Sequence, residues 1–485
     1  MSNAIEGLKP QLVWKYFAEI ARIPRGSKNE AAISKYVADT AKKLGLAAKM
    51  DKFGNVVVKK PATPGREQKA RIVLQGHLDM VCEKNKDTVH DFAKDPIELV
   101  RKENVIMANG TTLGADNGIA VATNLAIMED RSIEHGPLEF LFTVDEETGL
   151  TGASNLSPDL LEGRILINLD SEEEGALYVG CSGGRNTIGR WKLERDPSPP
   201  KSHAAKISVK GLKGGHSGLE IDKGRGNAIK ILNRVLLALH DLGARMVSIE
   251  GGNKHNAIPR EAEAVLFVPE KKWEEAMKTV VDLADVLRAE LATAEPDLAV
   301  SMNEVKGLKR GKVIKKGVQT KLLAVLSAMP HGVMKMSADI PNLVETSTNV
   351  AVIKTGPKVI ELATSQRSSV ASEIDEICTS VISAFTLAGA AVEASDGYPG
   401  WKPNLDSAIL KVAKKSYISL FGTEPAVKAI HAGLECGIIG EKVPGMDMIS
   451  MGPTLEGVHS PDEKIYIDTV EKYWKYLLAI LDNVG

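Results

Sequence analysis

Nowhere in this 485-residue chain do its four cysteines (Cys82, Cys181, Cys378, Cys436) form a CxxC pair, and they lie far apart. That fits reduced thiols better than a disulfide framework. Charge of one sign is also missing: the formal net charge is -2, which gives no basis for a nucleic acid or an anionic membrane as partner. No apolar run approaches the length of a membrane span. The opening MSNAIEGLKPQ has no basic stretch followed by an apolar core, so no signal peptide is expected and the cytoplasm is the expected location. What remains is an ordinary globular composition, 43% hydrophobic and 26% charged, in a chain long enough that two domains is the prior.

The informative residues stand at the ends of apolar runs. RIVLQGHLDM carries a strand-like run from Arg71 to Gln75, with His77 and Asp79 just beyond it. Residues two apart on extended chain share a side, so Asp79 is placed to accept a hydrogen bond from the His77 ring, which would fix the tautomer and aim of a metal ligand. LEFLFTVDEETG runs from Leu138 to Val144 and ends in Asp145, Glu146 and Glu147, and RILINLDSEEEG ends its run at Asp170. Three strands thus deliver acid or imidazole at their carboxyl ends, the edge where open α/β sheets bind ligands. Asp116 lies in a glycine-containing turn before the helical pattern Ile119, Val121, Leu125, Ile127, Met128, and His459 lies in the polar loop of ISMGPTLEGVHSPDE. Imidazole and carboxylate donors without cysteine suit zinc, cobalt or manganese. Two such cations about 3.5–4 Å apart need an anion between them.

Along the chain, Gln11–Ile23 and Asn29–Leu46 read as helices, and strands alternate with helices to about Leu177, an α/β pattern. KLERDPSPPKSH, with three prolines in a short stretch from Pro197, reads as a hinge. Beyond it the rhythm is strand, helix, strand, helix, and then a second round of helix, strand, strand, helix, strand, which suggests a duplicated β-α-β-β-α-β module. The expected domains are a catalytic part at 1–195, an inserted α+β lid at 196–398, and a returning catalytic part at 399–485 that carries His459.

The strings GHLDM, LGADNG, TVDEETG, NLDSEE, KGGHSG, NAIPRE and GVHSPDE, in this order, resemble the co-catalytic zinc peptidases that include aminoacylase, bacterial carboxypeptidases and dipeptidases. IPRGS, DGYPGWKPN and HAGLECG narrow the likeness to the aminoacyl-histidine (Xaa-His, carnosinase-like) dipeptidase branch. It runs from about Leu12 to the chain's end. The resemblance implies a mixed central sheet flanked by helices and interrupted by a lid. It implies two divalent metal ions per chain, zinc first and cobalt or manganese as alternatives. Asp116 would bridge, with His77 and Asp170 on one metal and Glu147 and His459 on the other. Glu146 would be the general base toward the attacking water, and Asp79 its catalytic companion behind His77. From the lid, His216 would donate to the developing oxyanion, and Asn256 and Arg367 would hold the substrate backbone and its C-terminal carboxylate. Gly433 is a weaker substrate-facing candidate, while His431 and Glu435 shape the same loop without an assigned role.

The expected partner is a small peptide, and a homodimer is the expected assembly. The function implied is hydrolysis of small unblocked dipeptides, Xaa-His preferred. The alternatives are a tripeptide aminopeptidase, an N-acyl amino acid amidohydrolase, or a catalytically dead binding protein. The last conflicts with the presence of every ligand residue together with Asp79 and Glu146.

Overall fold

In the computed structural model, which describes residues 3–308 and 311–485, the chain forms two compact units. The first comprises Met1–Cys181, Trp401–Ala429 and Leu434–Gly485, and the second Ser182–Gly400 and Ile430–Gly433.

The first unit is built on an eight-stranded mixed sheet. Its spatial order is Ala47–Met50, Val56–Lys60, Leu138–Thr143, Ile72–His77, Ile165–Asn168, Asp447–Ser450, Ala176–Cys181, Ala426–Ile430. The four central strands, from Leu138–Thr143 to Asp447–Ser450, are mutually parallel. Leu138–Thr143 and Ile72–His77 are buried at every position, as expected of strands covered on both faces. The helix Ala115–Glu129 packs on Ile72–His77, and its residues from Asn117 to Met128 are all buried. A helix buried around its whole circumference belongs inside a core. Because parallel strands share a direction, the chain leaves all four at one edge of the sheet, and His77, Glu146, Glu147 and Asp170 lie on those exits.

The second unit holds a nine-stranded antiparallel sheet. Its main path is Ala299–Glu304, Ser202–Lys210, Ala262–Pro269, Arg245–Gly251, Val344–Thr355, Val359–Ser368, Gly183–Lys192, Ala391–Ala394, with Gly332–Met336 paired to Val344–Thr355. Each half is one β-α-β-β-α-β module with its fourth and third strands flanking the first. The halves meet where Arg245–Gly251 pairs with Val344–Thr355. Helices Ala228–Asp241 and Trp273–Leu291 serve one module, Lys316–Ala328 and Ala371–Leu387 the other. Their apolar faces join a single core that includes Ile207, Leu232, Val235, Leu266, Leu322, Val350 and Phe385.

This arrangement corrects the domain limits. The second unit begins at Ser182, not at residue 196, because Gly183–Lys192 is the first strand of the second module and pairs with Val359–Ser368 over its whole length. The first module is inserted between that strand and its helix. The proline stretch is no hinge either: Arg195–Pro197 pairs with Lys312–Ile314 inside the second unit. The unit ends at Gly400 rather than 398, since Tyr398 still bridges to Gly184, and the short segment 430–433 belongs to it as well. Among the described residues no helix is long and apolar enough to cross a membrane.

Candidate active site

In the first unit the backbone is bent to deliver donors to one point. His77 ends its strand, and its amide donates to Asn117 Oδ1 (3.2 Å) while Asn117 Nδ2 donates to the carbonyl of Leu169 (2.9 Å). One buried side chain thereby ties the exits that carry His77 and Asp170. A Cβ on Gly76 would clash with Asn117 Oδ1 and with the Ala120 methyl, so only glycine fits there. Asp145, at φ 52°, turns the chain sharply after Thr143. This left-handed conformation is costly for a residue with a side chain, and here the Thr148 and Thr151 hydroxyls donate to the Asp145 carboxylate while its amide donates to Glu30 (3.0 Å). The turn aims the next two amides at Asp79: Glu146 N–H reaches Oδ1 (3.0 Å) and Glu147 N–H reaches Oδ2 (3.2 Å), with Ser27 Oγ also donating to Oδ2 (2.8 Å).

The donor atoms converge. Asp79 Oδ1 lies 3.2 Å from His77 Nδ1, leaving Nε2 facing Asp116 Oδ1 (3.1 Å) and Asp170 Oδ1 (3.4 Å). Asp116 Oδ2 lies 3.1 Å from His459 Nε2, which is also 3.0 Å from Glu147 Oε2. Two of the donor sets that result, His77–Asp116–Asp170 and Asp116–Glu147–His459, share Asp116, each with its atoms within 4.8 Å of one another; His77–Glu146–Glu147 and, behind them, Glu30–Asp79–Asp145 meet the same limit. Glu147 Oε1 is buried and accepts no hydrogen bond. An unsatisfied buried carboxylate oxygen beside further carboxylates fits a cation, and the donor types fit a divalent one.

The electrostatics carry the same imprint. Burial, with Asp170, Glu435 and Glu147 nearby, pushes Glu146 well above the usual carboxylate range against the pull of His77. Burial likewise raises Asp170 to about 6, opposed by His77. Hydrogen bonds to Asp116 and Glu147 raise His459 to about 11. Burial alone would raise Asp79, yet its bonds to His77, the Glu146 amide and Ser27 hold it at about 2. Asp79 is therefore a charged acceptor near neutral pH, while burial among other acids biases Glu146 toward its protonated form.

Residues without a sequence-derived role hold this centre. Glu463, 2% exposed, accepts the amides of Leu113 (2.8 Å), Gly114 (2.9 Å), Ala115 (2.7 Å) and Asp116 (3.2 Å), and so fixes the turn that presents Asp116. Buried Arg25 donates to the carbonyls of Leu78 (3.0 Å), Asp79 (2.9 Å) and Gly114. Glu435 accepts from Gln75 Nε2 and Thr143 Oγ1, both at 2.6 Å, bracing the strands two and three residues before His77 and Glu146. These residues stood within the strings IPRGS, GVHSPDE and HAGLECG, but no spacing rule distinguishes an acid that caps four amides from one on a solvated loop.

In the second unit, Gly215 and His216 pair with Ile258 and Ala257, so Asn256 borders His216, and its carbonyl accepts the Ser217 amide (2.9 Å). His216 Nδ1 accepts the amides of Gly218 (3.3 Å) and Leu219 (3.1 Å). The ring proton therefore sits on Nε2. Burial and Arg367 push its pKa down to about 4, leaving a neutral ring that can donate. His216 and Asn256 line a cavity of about 790 Å³ together with Lys210, Lys213, Lys254 and Arg260. Arg367 is 7% exposed, with Nη1 donating to Tyr398 OH (2.9 Å) and Nε buried without a partner. Gly433 lies against the Tyr398 ring.

A mixed α/β sheet whose parallel strand ends gather two histidine–carboxylate donor sets around one shared aspartate defines the metal-dependent hydrolases as a class. The particular family follows: the chain matches peptidase family M20/M25/M40 over residues 73–483, and it belongs to that family. It is 42% identical, over 99% of both chains, to the cytosol non-specific dipeptidase of Escherichia coli (strain K12). The crystal structure of aminoacylhistidine dipeptidase from Vibrio alginolyticus superposes with a TM-score of 0.91 at 42% identity, covering 99% of this chain and 98% of that one. Aminopeptidase PepT from Bacillus cereus ATCC 10987 shares the fold at 18% identity and a TM-score of 0.58, covering 98% of this chain and 99% of that one.

Proposed function

We propose that this chain is a metal-dependent dipeptidase that hydrolyses small unblocked dipeptides, Xaa-His among the preferred ones. The observation that carries the reading is Asp116, whose two oxygens face His77 and His459 separately. The full-length likeness to two dipeptidases favours this substrate class over tripeptides or N-acyl amino acids.

His77, Asp116 and Asp170 would hold one divalent cation and Asp116, Glu147 and His459 a second, zinc being the first choice and cobalt or manganese the alternatives. When bound, such cations supply Lewis-acid polarisation of a carbonyl and a lowered pKa for water. Glu146 takes the proton of the attacking water on its carboxylate and delivers it to the leaving amine nitrogen. Asp79 holds the His77 ring and the Glu146 amide in register. His216 donates from Nε2 to the oxygen that becomes negative, Asn256 holds the peptide backbone, and Arg367 receives the C-terminal carboxylate through its planar fork. The second unit acts as the lid, and the first is the catalytic domain. A cytoplasmic homodimer is the setting we propose, on the resemblance to the dipeptidase branch.

The test is a panel of Ala-His, Ala-Ala-Ala and an N-acetyl amino acid, run on metal-stripped protein with zinc, cobalt or manganese restored. Cleavage of Ala-His well above the other two, dependent on added metal, is the expected result. Preference for the tripeptide or the acylated substrate would refute the dipeptidase reading.

A further inference from the structure

The motif DGYPGWKPN has no part in the chemistry above, yet it delivers Tyr398 to Arg367. The antiparallel ladder of the second unit sets Ser347 opposite Arg367 and Arg367 opposite Gly184. Gly184 in turn exchanges both backbone hydrogen bonds with Tyr398, each 3.0 Å. Directly opposed residues of neighbouring strands share a face. Ser347, Arg367, Gly184 and Tyr398 thus form one lateral row, with Tyr398 two strands from Arg367. The ring spans the intervening strand only because that position is glycine. A Cβ on Gly184 would stand 2.7 Å from the Tyr398 ring carbon Cζ and from its hydroxyl.

The segment 430–433 closes the row from the other side. His431 Nε2 and Ser347 Oγ are hydrogen-bonded at 2.7 Å, and a Cβ on Gly433 would lie 2.8 Å from Tyr398 Cε2. The tyrosine ring is therefore slotted between two glycines, with its hydroxyl committed to Arg367 Nη1 at 2.9 Å. In a guanidinium, Nη1 lies on the side of Cδ, so Nε and Nη2 share the opposite edge, the edge that grips a carboxylate with two parallel bonds. Nε on that edge is buried and unpartnered. It faces Gly218, whose Cβ would lie 3.3 Å from Nε and 3.1 Å from His216 Cε1.

We infer that Tyr398 is a positioning residue for the C-terminal carboxylate site: its hydroxyl anchors Nη1 so that the Nε–Nη2 edge of Arg367 is presented to substrate. Gly184 and Gly433 are the slot that seats the ring, which gives Gly433 a steric role in place of a direct substrate contact. The inference rests on reading Arg367 as the carboxylate-binding residue.

Steady-state kinetics on Ala-His and on its C-terminal amide, for wild type, Tyr398→Phe, Arg367→Ala and the double variant, tests both layers. Tyr398→Phe deletes one oxygen and should raise KM for the free acid about ten-fold, the loss expected for one bond to a charged group. It should change kcat much less and lower the acid-over-amide preference by the same factor. Adding Tyr398→Phe to Arg367→Ala should cost nothing further, since the anchored group is gone. An unchanged acid-over-amide preference in Tyr398→Phe, alongside its collapse in Arg367→Ala, overturns the role of Tyr398 alone. So does an additive loss in the double variant. An unchanged preference in Arg367→Ala overturns the Arg367 reading, and this inference falls with it.

Discussion

The two units solve opposite electrostatic problems. In the first, acids crowd the carboxyl ends of parallel strands. What holds them is largely backbone: four amides on Glu463, two on Asp79, three carbonyls on Arg25. In the second, the proposed functional groups are a cation, Arg367, and a neutral histidine, His216. The guanidinium is anchored along one row of an antiparallel sheet, with glycines leaving room, and the histidine takes two backbone amides on Nδ1. A centre of concentrated negative charge needs rigid dipoles around it and a cation within it. A site that recognises a planar anion needs one guanidinium edge kept free. The comparison predicts that damage to the first unit removes chemistry, while damage to the second changes which substrates are held and how well their transition states are.

The sharpest break is Glu146→Ala. In the proposed mechanism this side chain takes the proton of the reacting water and lies outside both donor sets that share Asp116, so turnover should fall on the order of 10²–10⁴, with metal content near wild type by elemental analysis. A metal-loaded variant of ordinary activity would sink the assignment. Loss of both metals would mean that the roles of Glu146 and Glu147 are interchanged.

His216→Ala probes the other side of the comparison. Its Nε2–H is set by the two amides on Nδ1, and in the proposed role its bond strengthens only as negative charge develops on the carbonyl oxygen. Such differential binding appears in kcat, with a fall of roughly 10²–10³ for one lost donor. A variant altered only in KM would show that His216 binds ground-state substrate instead.

How far the sequence carried this contrast depends on how local each signal is. The donors of the first unit were legible because each apolar run ends within two or three residues of its acid or imidazole, as with Ile72–His77 and Leu138–Thr143. Gly183–Lys192 was not: it is rich in glycine and arginine, and its partner Val359–Ser368 lies far along the chain. Arg245–Gly251 escaped for a different reason. A register shift between Met246 and Ser248 breaks the alternation that marks a strand. Arg367 could be proposed from resemblance, but nothing in the sequence joins it to Tyr398, because that contact exists only through the ladder position of Gly184.

Glu463→Gln tests whether backbone restraint matters as the comparison requires. The amide offers a single acceptor oxygen where four N–H groups converge, and it turns an NH₂ toward donors. Stability should fall by about 3 kcal/mol, the range for losing bonds to a buried charged group. Metal affinity should weaken about ten-fold as Asp116 loosens. Thermal unfolding and a competitive metal titration measure the two. A variant with wild-type values in both would show that Glu463 restrains nothing.

The smallest effect sharpens the second unit. Burial, then Arg367 and His216, push His431 down to about 3, with Asp222 opposing, so the folded protein keeps this ring neutral while the unfolded chain protonates it near the ordinary 6.5. Between those values the unfolded state binds the extra proton. Stability is therefore complete above pH 6.5 and is lost progressively as pH falls toward 3. From pH 7 to pH 5 the share of His431 is about 2 kcal/mol, at 1.36 kcal/mol per unit. His431→Asn keeps a polar side chain near Ser347 and cannot titrate there. Its unfolding free energy from urea titration should drop less than that of wild type between pH 7 and pH 5, by that margin. Equal drops in the two proteins would mean that His431 is solvated enough to charge in place, and the row along Ser347, Arg367 and Tyr398 would then be open to water rather than sealed by the segment 430–433.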